Sequence, residues 1–394
     1  FTVIQTGTIA AVAVAFAKFT AVLLPGLGES VVVFDAGLFQ VTAARLVAIV
    51  SIVVLTAVNL RGLHGGRIVQ NVFTLAKTVA VLGLIALGLA LGRNPHAMAV
   101  NFHDFWRASM THVTAGAVTS IEPLAGLALL GALGASMVGS LFASDAWNNI
   151  TFTAGEVVEP RRTIPLSLAL GTGTVVLLYL LANVAYIRML PVQGVPGASD
   201  VLGRGIQFAT SDRVGVAAAT MLFGAPAALF MAALIMVSTF GCNNGLILAG
   251  ARVYYAMAKD RLFFAKAGLL NRRAVPGAAL VVQAVWASLL CLTGTYGNLL
   301  DYVIFAVLVF YILTVAGLFV LRRTRPDAER PYRAFGYPVV PALYILAAAA
   351  IAVDLLIMKP TYTWPGLGLV LLGVPVYFLW TRVVRRGAGG DGRA

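Results

Sequence analysis

Ten apolar runs of about twenty residues, joined by mostly short connections, dominate this sequence: about 2–24, 43–60, 68–91, 124–152, 164–190, 224–257, 277–294, 300–321, 338–358 and 364–382. A run of this length crosses a hydrocarbon core of roughly 30 Å as an α-helix. In lipid a lone segment satisfies its backbone hydrogen bonds only as a helix. The predicted fold class is therefore all-α, a polytopic membrane bundle. Composition agrees: 60% of residues are hydrophobic and 11% charged, with a mean hydropathy of +0.92, whereas a soluble domain carries about 25% charged residues.

The net charge of +13 does not mark a nucleic-acid binder, because the basic residues sit in connections between spans and not on one patch. They report topology instead. If the connection after the second span is cytoplasmic, that side collects Arg61, Arg67, Arg161, Arg162, Lys259, Arg261, Lys266, Arg272, Arg273, Arg322, Arg323, Arg325, Arg330, Arg333 and the C-terminal arginines. The opposite side holds only Arg93, Arg107, Arg204, Arg213 and Lys359. The positive-inside rule then places both ends of the chain in the cytoplasm and the protein in the cell membrane. The two long outer connections, about 92–123 and 191–223, contain short amphipathic patches and are expected to cap the outer mouth.

Cys242 and Cys291 lie in apolar runs without metal-ligand spacing, and all four histidines (His64, His96, His103, His112) lie in connections. Neither a disulfide framework nor a metal site is expected, and no cofactor is implied. A membrane-embedded transferase would need a nucleophile–base pair or a metal, which the spans lack. The chain opens at Phe1, almost inside its first span, with no charged segment or cleavage site of a signal peptide. The expectation is that the native polypeptide continues upstream.

The fourth run is too long and too polar for one straight helix. About 30 residues would make a rod of about 45 Å, yet Ser144-Asp145-Ala146-Trp147-Asn148-Asn149 interrupts it. Two half-helices joined by unwound backbone fit better, and such backbone is tolerated at membrane depth only where it lines a cavity or is buried in protein. Broken helices of this kind build substrate sites in secondary transporters.

Most charges within the spans (Lys18, Arg45, Arg188, Arg252, Asp301, Asp354) fall near their ends and can reach an interface. Lys77 and Asp145 do not. At 1.5 Å per residue they lie about 14 and 15 Å deep, at similar depth and with opposite sign. An isolated charge there costs roughly 2.5–3.5 kcal/mol, so each needs a partner or a polar cavity. They either pair to hold helices together, or at least one meets substrate or a coupling proton. A third polar patch, Ser238-Thr239-Phe240-Gly241-Cys242-Asn243-Asn244-Gly245, includes adjacent asparagines about 100° apart on a helix. At least one of them faces a neighbouring helix or a cavity. Small residues at four-residue spacing (Gly131, Ala135, Gly139; Gly241, Gly245, Ala249) predict close helix approaches.

The run Ser144–Asn149 followed by Gly155-Glu156-Val157-Val158-Glu159-Pro160-Arg161-Arg162-Thr163-Ile164-Pro165 resembles the sixth helix and following loop of the amino acid–polyamine–organocation superfamily, most closely its L-type amino acid transporters. Ser238–Gly245 with Ala251-Arg252-Val253-Tyr254-Tyr255 resembles the eighth helix, and Glu329-Arg330-Pro331-Tyr332-Arg333 the loop after the tenth. The resemblance implies the leucine-transporter fold: twelve helices, ten of them in two inverted five-helix repeats, with helices one and six broken. By motif the ten spans match helices three to twelve. Residues 1–92 then form the rest of the first repeat, 124–321 the second, and 338–382 two appended helices. The first two helices, with the glycine-rich segment that receives a substrate carboxylate, have no counterpart here.

The same resemblance implies roles. Phe142 matches the aromatic that closes over substrate, and Ala143, Ser144 and Asp145 fall on the unwound stretch whose carbonyls accept the substrate ammonium. Ala146 stands where relatives usually have Gly, Asn148 matches a polar position on the continuing half-helix, and Asn243 falls in the polar patch of helix eight. Lys77 matches a lysine that replaces the sodium ion of sodium-coupled relatives. The implied function is a sodium-independent amino-acid permease working by alternating access, as exchanger or proton symporter. A cationic amino acid or polyamine transporter is the alternative, because Asp145 could receive a basic group. A non-transporting sensor on the same fold is a remote one. The implied partners are the amino acid and the lipid bilayer, with possible proton coupling. Nothing in the sequence specifies an oligomeric state.

Overall fold

The computed structural model describes residues 2–35, 40–210, 213–293, 296–330 and 332–390. Of residues 2, 3, 63–67, 69, 293, 296–299, 301, 302, 362 and 383–390 it describes the backbone alone. The expectations for His64, Arg67, Asp301 and the arginines beyond Arg382 fall outside the described side chains.

The chain runs α1 (Thr2–Leu23), a hairpin of β1 (Val32–Asp35) and β2 (Gln40–Thr42), α2 (Ala43–Leu60), α3 (Leu63–Leu91) and α4 (Pro95–His103). A second hairpin, β3 (Ser109–Thr114) and β4 (Ala117–Pro123), leads to α5 (Gly126–Ala143). A 3-10 helix over Asn149–Glu156 separates α5 from α6 (Pro160–Met189). The short helices α7 (Val201–Arg204) and α8 (Val214–Phe223) precede α9 (Pro226–Lys259). Then follow α10 (Gly277–Thr293), α11 (Tyr296–Thr324), α12 (Val339–Met358) and α13 (Pro360–Gly390).

Among the described residues nine helices are long and apolar enough to cross a membrane. The expected span at 277–294 is α10, a 17-residue apolar helix. The fourth run differs from expectation in one respect. It is broken where the polar residues stand, but only its first half is α-helical. The continuation is 3-10, and no second α half-helix forms there. The connections also hold two antiparallel hairpins that hydropathy does not reveal.

Helix ends follow local chemistry. The Asn94 side chain accepts from the backbone N–H groups of His96 and Ala97 at 3.1 and 3.2 Å, capping α4 ahead of Pro95. Thr42 accepts from the Arg45 N–H at the start of α2. Pro160 and Pro226 occupy the first positions of α6 and α9, where a missing N–H costs nothing.

The centre of the bundle is α1 against α9, flanked by α2 and α10, with Ile9, Ala13, Ile52, Leu55, Ile247, Ala251, Tyr254 and Leu280 buried between them. Lipid and protein side chains are equally apolar, so hydrophobicity does not drive this packing. Close fit and polar bonds do. Gln5 of α1 donates to the Leu246 carbonyl at 3.1 Å, and Gln283 of α10 donates to the Ile247 carbonyl at 2.8 Å. Gly250 makes room for both, since a Cβ there would come within 2.6 Å of the Gln283 side-chain oxygen. Asn59 of α2 donates to the Asn244 side chain of α9 at 2.8 Å.

The small-residue stripe on α9 works as expected, because Gly241 lies under Phe73 and Gly245 under Gln70, both of α3. The stripe on α5 needs a correction. Gly131 and Gly134 receive Asp354 of α12, whereas nothing lies within 4 Å of a Cβ at Gly139. Arg252 also differs from the interface reading. It is buried and paired with Glu156 at 3.2 Å.

A Cβ at Gly241 would lie 2.4 Å from the Phe73 Cβ. Gly241→Leu is therefore expected to cost about 1–3 kcal/mol by overpacking, with Gly139→Ala near neutral, as read from thermal unfolding in detergent. Equal stability of the two variants would contradict this α3–α9 contact.

Candidate functional site

The site begins where α5 stops. After Ala143 the backbone leaves the helix through Ser144 at φ −97° and ψ 0°, and Ala146 adopts φ +64°. That left-handed conformation suits glycine and strains an alanine.

Neighbouring side chains take up the polar groups that the break releases. The Tyr179 hydroxyl of α6 donates to the Ala143 carbonyl at 2.9 Å, leaving that oxygen one further lone pair. The Ser144 hydroxyl turns back to the Ser140 carbonyl at 2.8 Å, so it serves its own helix. The Asp145 N–H reaches the Phe142 carbonyl at 3.2 Å, and the Asn149 N–H reaches that of Ala146 at 3.1 Å.

Tyr311 of α11 supplies a side-chain donor for Asp145, beside the Ala146 backbone N–H. Its hydroxyl lies 2.7 Å from Asp145 Oδ1 and 3.3 Å from Asn148 Oδ1, and the Trp147 ring meets it edge-on at 5.9 Å. One hydroxyl has one proton, so the shorter contact to the carboxylate is the bond that counts. This corrects the possible pairing of Asp145 with Lys77. Among the described residues those two form no ion pair. Lys77 is half-buried on α3, and both charges lie within electrostatic reach of Cys242 on α9.

Above the turn is a cavity of about 840 Å³. Val12 and Ala15 of α1, Ser136, Gly139, Phe142 and Ala143 of α5, and Ser238, Thr239 and Cys242 of α9 form its walls, and Lys359 reaches it from the end of α12. Phe142 lines this space and also packs against two core clusters. Asn243 does not line it. That side chain is 1% exposed, and neither its amide nitrogen nor its oxygen has a partner among the described residues. Asn148 stands on the far side of the turn with Tyr311.

The arrangement brings Phe142, Ala143, Asp145 and Asn148 to one turn, with Cys242 sharing the cavity wall with Phe142 and Ala143. Ser144 points into α5, and Asn243 is buried apart. Sequence reasoning missed Tyr179 and Tyr311, which sit in strongly apolar stretches where hydropathy counts the ring and not the hydroxyl. Among the described residues no cluster of three metal-ligating side chains occurs.

A profile of the amino acid permease family matches residues 1–377. The chain belongs to that family. It is 28% identical over 340 residues to the human (Homo sapiens) b(0,+)-type amino acid transporter 1, covering 85% of this chain and 62% of that protein. It is 29% identical over 336 residues to the Large neutral amino acids transporter small subunit 2 of Homo sapiens, with 85% and 57% coverage. The Serine/threonine exchanger SteT of Bacillus subtilis (strain 168) is 26% identical over 338 residues, with 85% and 69% coverage. The chain spans 57 to 62% of the length of the first two relatives. As a member of that family with nine long apolar helices among its described residues, it is a multi-pass membrane protein.

Tyr311→Phe removes the hydroxyl donor from Asp145. A hydrogen bond to an ionised group is worth about 1.5–3 kcal/mol, and a loss of that order is expected in thermal unfolding in detergent. An unchanged midpoint would mean that the Ala146 backbone N–H, which also bonds this carboxylate, is enough to hold it.

Proposed function

We propose that this permease carries amino acids across the cell membrane by alternating access, without sodium, and that it works as an exchanger. The observation that carries the reading is the break at Ala143–Asn148 beside a cavity of about 840 Å³. Carbonyls at a helix C-terminus hold partial negative charge suited to a substrate ammonium. Phe142, on the cavity wall directly before the turn, is placed to close over the bound molecule. Ala143, Asp145, Ala146 and Asn148 form the ammonium side of the site, while Ser144 serves its own helix and Asn243 lies buried outside it. Residues 1–92, the remainder of the first repeat, and 124–321, the second repeat, rock against each other, and both chain ends face the cytoplasm. The names of the relatives, two transporters and one exchanger, support transport and make exchange the first choice over proton symport.

Small or medium neutral amino acids are the favoured substrates. A second reading, cationic amino acids or polyamines, draws on one observation: Asp145 meets a neutral hydroxyl and not an ammonium group, so its charge remains available to a basic side chain. Competition of labelled alanine, leucine and arginine uptake in proteoliposomes of the full-length protein separates the two. Saturable alanine or leucine uptake, with arginine ineffective, is expected. Arginine uptake lost in Asp145→Asn while leucine uptake survives would decide for the cationic reading, and no uptake of any of the three would overturn both. Net uptake driven by a pH gradient without internal substrate would replace exchange by symport.

Lys77 takes the position that sodium occupies in coupled relatives. Lys77→Ala is expected to reduce transport at least tenfold, equivalent to about 1.4 kcal/mol, with normal expression. Unchanged rates would remove Lys77 from the mechanism.

A further inference from the structure

The connection between α3 and α5 carries a feature that the transport site does not use. Three aromatic side chains, Phe102, Phe105 and Trp106, form one exposed cluster at the end of α4. Phe102 stacks on Phe105 at 5.4 Å, and Trp106 meets Phe105 edge-on at 5.1 Å. Trp106 is 93% exposed. In water such a patch is unfavourable, and nothing in the bundle covers it.

Its level relative to the membrane is set by hydrogen bonds. The Asn94 N–H donates to the Arg188 carbonyl at 3.1 Å, and its side chain donates to that of Met189. Asn101 donates to the carbonyls of Ile187 and Leu190 at 2.8 and 2.9 Å and accepts from the Val192 N–H at 2.7 Å. Two asparagines thus tie α4 to the last turn of α6. The Leu124 N–H donates to the Ala108 carbonyl at 2.9 Å, closing the hairpin so that the aromatic turn sits beside the start of α5. The cluster is therefore held where α3 and α6 end and α5 begins, where those helix ends carry exposed apolar side chains such as Leu91 and Leu127. Arg93 and Arg107 flank it, both exposed.

We propose that the Phe102–Trp106 turn docks into the bilayer, its rings at the boundary between headgroups and acyl chains and its arginines at the phosphates. Aromatic residues concentrate at that depth because their amphipathic rings suit it, and flanking cations reach lipid phosphate. The docked turn anchors the hairpin connection beside the bundle and not over its mouth. This holds whatever the substrate, and independently of which face is cytoplasmic.

The test compares the protein with its Trp106→Phe variant in nanodiscs of a phosphatidylcholine and of its acyl-brominated analogues. The difference spectrum isolates Trp106 emission. A blue-shifted emission is expected, quenched more by bromines near the headgroup than by bromines near the chain end, and not by aqueous iodide. In Phe102→Lys/Phe105→Lys, whose changes are on the surface, the emission is expected to shift to the red and become open to iodide. A red-shifted, iodide-quenched Trp106 in the unmodified protein would overturn the proposal. Blue-shifted emission insensitive to both quenchers would overturn it as well, since the ring would then lie against protein, such as a second copy of the chain.

Discussion

Inside a bilayer no water is available to a backbone N–H or carbonyl, and each group left alone costs several kcal/mol. That constraint accounts for the long helices of this chain, and it makes their one deep interruption costly. The interruption survives because three neighbours intervene. Tyr179 bonds the Ala143 carbonyl, Ser144 bonds back to Ser140, and Tyr311 bonds the Asp145 carboxylate. Each comes from a different helix or turn, so the break and the bundle around it require one another.

The same economy governs packing. Helix α9 touches α1, α2, α3, α8 and α10, and it is polar where it is most enclosed. Gln5, Gln283 and Asn59 each spend an amide on it, and Arg252 in its C-terminal part is paired with Glu156 of the 3-10 segment. The segment after the break is thus fixed at its far end by a buried cation. Arg161 holds the following helix start to Glu329 through two contacts at 2.7 and 3.2 Å. The polar turn is thus braced by two tyrosines at the break itself and by ion pairs at the end of the 3-10 segment and the start of α6.

What could be read from residues alone follows from how each signal arises. Hydropathy sums over about twenty positions, so spans survive local error, and most of their ends agree with the helices to within a few residues. The exceptions are the fourth run, whose α-helix stops at Ala143, and the last, whose helix continues to Gly390. The break was legible because Asp145 and the two asparagines after it have no place in a straight lipid-facing helix. The partner of Asp145 was not legible. Matching depth and opposite sign pointed to Lys77, but depth fixes only one coordinate, and the azimuth of each helix decides which side chains meet. Tyr311 and Tyr179 were hidden by their own rings. The spacing of small residues on α5 identified a contact face but not its register, which Asp354 sets at Gly131 and Gly134 while Gly139 faces open space.

The sequence by itself determined that the chain lies in a membrane, where the polar break falls and which family's motifs it carries. These depend on composition and local order, which are linear properties. Tertiary structure alone decided that the half-helix after the break is 3-10, that a tyrosine and not a lysine meets Asp145, that Asn243 is buried away from the cavity while Cys242 faces it, and that the aromatic turn after α4 is held at the level of the helix ends. Each of those depends on the rotation and close approach of helices far apart in the chain, and no one-dimensional pattern records that.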